Sequence, residues 1–77
     1  METSELLERV RAASQLPTAR DRRAIRERAN VTQRELAGAL GVSVMALNRW
    51  ERGITRPRGR HAAAYAALLE QFEKAAA

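Results

Sequence analysis

Apolar residues recur at helical spacing in five stretches of the chain, and what separates the stretches is turn chemistry. Residues 3–14 carry Leu6, Leu7, Val10 and Ala13 on one stripe, with acids early and Arg9 and Arg11 late, as the helix dipole favours. Leu16 and Pro17 interrupt, and Thr18 with Asp21 caps a predicted helix over 18–29. Thr32 followed by Glu35 fits a capping box, in which each side chain satisfies a backbone donor the helix leaves open. The helix it opens, 32–40, turns Leu36, Ala37 and Leu40 to one face and Gln33, Arg34 and Glu35 to solvent. Gly41 supplies a left-handed turn, Val42 folds inward as a plug, and Ser43 is a good N-cap for a helix over 44–52. Within that helix Leu47 and Trp50 share the inner face, leaving Val44, Met45, Asn48, Arg49 and Arg52 outward or lateral, and Gly53 closes it. ITRPRGR then reads as a loop, and a last helix over 60–74 carries Tyr65, Leu68, Leu69 and Phe72 on one stripe. The predicted fold is all-α, a bundle of about five helices (3–14, 18–29, 32–40, 44–52 and 60–74).

Two short helices crossing around a tight turn need a small residue at closest approach, and Ala37 meets that need. With Gln33, Leu36, Ala37, Gly41, Val42, Leu47, Trp50 and Glu51 to Gly53 all in place, the block 32–53 resembles the helix-turn-helix of phage-repressor-type regulators, the lambda-repressor-like or Xre family. The resemblance extends over roughly residues 18 to 72. It implies that Val44, Met45, Asn48 and Arg49 face base edges in the major groove, while Gln33, Arg34, Arg52, Arg56 and Arg58 hold the DNA backbone. Arg26 and Glu51 stand at positions that form a salt bridge in relatives, and Ala37, Gly41, Leu47 and Trp50 are the structural turn and core residues. Val44 and Met45 depart from the polar residues common at their positions, so thymine methyl contact is what they can offer. Arg22 stands near a position that is usually large and apolar, and Asn30 replaces a common glycine, a mild change because Asn tolerates the left-handed conformation.

Charge sharpens this picture. The 77 residues, room for one modest core, carry +5, with 14 basic residues against 9 acidic. Segments 18–34 and 43–61 are strongly positive, whereas 1–17, 35–42 and 62–77 are slightly negative, so the positive field coincides with the motif. Arg56, Arg58 and Arg60 crowd the expected N-terminus of the last helix, where the dipole disfavours cations unless phosphate is bound. The absence of cysteine excludes disulfides and cysteine-ligated zinc, and His61, the sole histidine, lacks a second ligand and is expected at the surface. Ser43 is explained as a cap rather than a nucleophile, and Trp50 as a core anchor rather than a stacking platform.

The expected function is therefore sequence-specific binding of double-stranded DNA by a transcriptional regulator or phage-type repressor, with no enzymatic activity, cofactor or metal. The expected organisation is an N-terminal helix and linker over 1–17, followed by the DNA-binding domain over 18–77. A homodimer, at least on DNA, is expected, with Leu6, Leu7 and Val10 as the leading interface and Leu69 and Phe72 second. No membrane segment, targeting signal or small-molecule ligand is evident, and the expected location is the cytoplasm, with the nucleoid. Three other readings stay open: an antitoxin-like or adaptor module, an excisionase-like recombination factor and, with so few aromatics, RNA binding.

Overall fold

A computed structural model describes residues 2–76, with the side chains at positions 9 and 12–15 outside the description. Met1, Ala77 and the side chains of Arg9 and Ala13, which figured in the expectations above, lie outside the described residues. The described chain runs through helices α1 (Thr3–Gln15), α2 (Ala19–Arg28), α3 (Gln33–Leu40), α4 (Val44–Glu51) and α5 (Gly59–Ala76). These match the expected all-α order, with ends displaced by one or two residues. Because α1 continues to Gln15, no basic residue falls in its last turn, contrary to the dipole pattern expected of Arg11.

The starts of α2, α3 and α4 are each built by a side chain. Thr18 Oγ1 accepts from Asp21 N at 3.2 Å, Thr32 and Glu35 make both halves of a capping box, and Ser43 Oγ accepts from Ala46 N at 3.0 Å. The stops of these three helices repeat one device. Asn30 (φ 59°), Gly41 (φ 69°) and Gly53 (φ 73°) adopt the left-handed conformation, and the next residue donates its N–H back to the carbonyl five positions earlier. These bonds, Val31 N to Arg26 O, Val42 N to Ala37 O and Ile54 N to Arg49 O, are the long closure of a Schellman motif. A β-branched residue follows each left-handed one, and Val31 and Val42 pack against the core.

Ile25, Leu36, Ala37, Leu40, Leu47, Trp50, Tyr65 and Leu69 form that core. Helices α3 and α4 pack together as the helix-turn-helix pair, α2 lies against α4 and α5, and α1 lies along α5. Leu69 is 1% exposed and Phe72 packs against the core, so the second of the two expected dimer surfaces is used up within the domain. A two-turn helix such as α4 has little intrinsic stability, and burial of Leu47 and Trp50 on one side is what holds its other side out rigidly.

Candidate nucleic-acid interface

The first turn of α3 and the last turn of α4 meet at a single carboxylate. Glu51, 6% exposed, accepts from Arg26 Nε at 2.6 Å, Arg26 Nη2 at 2.9 Å and Gln33 Nε2 at 3.0 Å. Arg26 also donates Nη1 to the Val31 carbonyl at 2.8 Å, which ties the end of α2 into the same knot. Burial alone would push the Glu51 carboxyl up, but the hydrogen bonds from Arg26 and Gln33 and the nearby guanidinium charges outweigh it and hold the group below its ordinary value. Hydrogen bonding to Glu51 raises Arg26 correspondingly. The bidentate fork fixes angle as well as distance, so α4 is oriented relative to α2 and α3 by a charged clamp inside the domain.

Gln33, expected on the solvent side, is half-buried because its amide turns inward to Glu51. One Nε2 hydrogen is committed there, leaving the other hydrogen and the amide oxygen for a further partner. Arg34, the next residue, and Arg52, the residue after Glu51, are both exposed and flank this junction. Glu35 is held below its ordinary value by the Thr32 backbone N–H and hydroxyl, which keeps the cap of α3 ionised.

On α4 the two faces separate cleanly. Leu47 is 0% and Trp50 7% exposed, whereas Met45 is 63% and Val44 41% exposed, with Arg49 exposed and Asn48 half-buried beside them. Ala37 and Leu40 lie beneath, and Gly41 makes the turn with open space around its Cα. Beyond α4, Arg56 and Arg58 are exposed on the loop and Pro57 is buried, which anchors that loop between two outward cations. The protein thus presents a short helix with apolar and cationic side chains outward, bordered by exposed arginines.

Two features were not anticipated. Arg22 is 7% exposed, donating Nη1 to the Pro17 carbonyl at 2.6 Å and Nη2 to the Trp50 carbonyl at 2.9 Å, with its guanidinium 5.7 Å from the Tyr65 ring centroid. Residues 22, 25 and 26 form one helical face of α2, so the inward Ile25 was the available signal that both arginines point inward too. Tyr65 is fully buried without a hydrogen-bond partner for its hydroxyl, and that burial, aided by the Glu51 charge, pushes its ionisation above the ordinary tyrosine range. The second is His61, expected at the surface but half-buried, its ring 6.2 Å from that of Trp50.

Among the described residues no helix is long and apolar enough to cross a membrane, and no group of three or more His, Cys, Asp or Glu is placed to hold a metal. A family model described as helix-turn-helix matches residues 23–71, which takes in α2 from its second turn, the α3–α4 pair and most of α5. No curated protein and no solved structure matches the chain.

Proposed function

We propose that this chain, which belongs to the phage-repressor-type (Xre, lambda-repressor-like) helix-turn-helix family, is a sequence-specific double-stranded DNA-binding regulator of transcription that inserts α4 into the major groove. The observation that carries the reading is the division of α4. Its inward residues are fully spent on the core, yet Val44, Met45 and Arg49 face out from a helix clamped in angle by Arg26 and Glu51. Val44 and Met45 offer apolar contact to thymine methyl groups, Asn48 can pair with adenine, and Arg49 can donate two parallel bonds to guanine O6 and N7. Gln33, Arg34, Arg52, Arg56 and Arg58 hold the backbone on either side. The mechanism is one of recognition without chemistry, and it operates wherever the chain meets DNA.

Selection of bound duplexes from a random library tests this directly. A shared motif is expected, and Arg49→Ala should then cost about 1–3 kcal/mol on that motif and relax one base pair per half-site, while Arg56→Ala weakens all sequences alike. Sequence-blind recovery, or equal loss on every site variant for Arg49→Ala, overturns the assignment.

The reading includes a dimer on DNA, with recognition helices about 34 Å apart on one face of the duplex. Its proposed contact is α1 against α1 of a second copy, because Leu6, Leu7 and Val10 are 51%, 54% and 59% exposed while α5 covers the opposite side. Three half-exposed aliphatic side chains fall well short of the roughly 800 Å² per partner of a stable interface, so the dimer is weak off DNA. Sedimentation of the full chain and of Leu7→Glu, with and without the selected duplex, should show DNA-dependent pairing lost in the variant. A monomer under every condition refutes it.

A further inference from the structure

A second electropositive feature lies between the α1–α2 linker, the first turn of α2 and the loop after α4. These segments border a cavity of about 460 Å³ whose wall includes Leu16, Pro17, Ala19, Arg22, Thr55 and Arg56. That volume is within the range of small-molecule sites. The segments meet closely below it, since a Cβ on Gly53 would stand 3.7 Å from that of Ala19.

Three sources of positive potential converge on this space. Arg22 is more than nine-tenths buried, its two hydrogen bonds go to neutral carbonyls, and its guanidinium otherwise meets the Tyr65 ring at 5.7 Å rather than a carboxylate. No acidic residue lines the cavity. A guanidinium withdrawn from water is best compensated by an anion beside it, because the lost hydration of a full charge is only partly recovered from carbonyl dipoles and a ring face. Second, α2 begins at Ala19, so the Ala19 and Arg20 amides have no intrahelical acceptor, while the Thr18 hydroxyl is already engaged by Asp21 N. Third, Arg56 reaches the same wall from the loop. Leu16 and Pro17 add an apolar floor, which a bare inorganic ion would not use.

We propose that this cavity binds a small organic oxyanion, a phosphate monoester or a carboxylate, with its charged end toward Arg22, Arg56 and the first turn of α2 and its apolar body on Leu16 and Pro17. Binding here is independent of whether α4 reads DNA. Where both occur they compete for Arg56, so each weakens the other.

The experiment is a nuclear magnetic resonance titration of the isotope-labelled full chain without DNA, using inorganic phosphate and phenyl phosphate as probes. Saturable shifts are expected at the Arg22 Nε–H and the Ala19 and Arg20 amides, with phenyl phosphate saturating at a concentration lower by roughly tenfold or more. Arg22→Met should abolish them. Should that variant not fold, Thr55→Trp at an exposed position fills the cavity without touching the core, and it should abolish them at unchanged melting temperature. Shifts confined to Arg34, Arg52 and Arg58, linear shifts without saturation, or binding that survives Thr55→Trp overturn the proposal. A parallel titration with the selected duplex separates the two sources of phosphate: if only DNA moves the Arg22 Nε–H, the anion is the nucleic-acid backbone and the small-molecule site does not exist.

Discussion

Replacing Glu51 with Gln keeps the shape of the clamp and removes its charge. Arg26, 8% exposed, would keep its bond to the Val31 carbonyl, but of its two donors now shared by the carboxylate only one could face the amide oxygen. The other would meet the amide NH2, or, with the amide flipped, Gln33 would lose its acceptor. One orphaned buried donor costs about 1–3 kcal/mol. Loss of the opposing charge brings the total to about 3 kcal/mol, the low end for breaking one side of a buried pair. For a chain of this length that is a large part of the roughly 4–12 kcal/mol expected in all, and the melting temperature should fall by about 12–24 °C. Urea unfolding followed by fluorescence of Trp50, the sole tryptophan and a core residue, measures it. The double variant Arg26→Met, Glu51→Leu should recover most of the loss, because burying neither charge removes the penalty of burying one.

The pH dependence has a definite sign. Glu51 is held below its ordinary value near 4.5 in the folded protein, so its contribution is fully present above that value and is lost as pH falls through the lower, folded one. The stability gap between the natural protein and Glu51→Gln should therefore be widest near neutrality and close in acid. A gap below about 1 kcal/mol at neutral pH, or one that widens in acid, would refute the claim that this clamp orients α4.

Other outcomes follow from the same geometry. Leu47→Ala, at a fully buried position, should cost about 2–5 kcal/mol in urea unfolding, whereas Met45→Ala, mostly exposed, should change stability by less than about 0.5 kcal/mol and show its effect only in affinity for the preferred duplex. Gly41→Ala meets no neighbouring atom, so its cost of about 1–2 kcal/mol is the left-handed backbone alone, and Asn30→Gly, in the same conformation, should be nearly neutral by the same assay. If Arg34, Arg52, Arg56 and Arg58 lie along phosphates in each subunit of a dimer, log K against log salt should fall with a slope of roughly −5 to −8, and a flat response removes the backbone clamp.

The helices and their order could be read from residue spacing because their signals are local. Thr18, Thr32 and Ser43 cap by reaching three residues along the chain, and Asn30, Gly41 and Gly53 end helices by a backbone conformation that few residues adopt cheaply. The inner and outer faces of α4 were legible for the same reason, since Leu47 and Trp50 lie one turn apart. The family resemblance could name Arg26 and Glu51 as partners, but their separation of 25 positions carries no local signal, and only packing of α2 against α4 brings the fork to 2.6 Å.

Tertiary structure decided what charge alone leaves open. Periodicity treats an arginine as solvent-facing by default, yet Arg22 lies on the face of α2 that Ile25 turns inward, and it finds the Pro17 and Trp50 carbonyls only because the linker and α4 close over it. Gln33 looked solvent-facing until α4 placed Glu51 within hydrogen-bond reach and turned its amide partly inward. Two apolar stripes looked spare in the sequence, and the docking of α5 buried Leu69 while leaving Leu6, Leu7 and Val10 outward. Spacing along a helix determines which residues share a face, and that much belongs to the sequence. Which neighbour covers the face depends on contacts between residues far apart in the chain, and those exist only once the helices have packed.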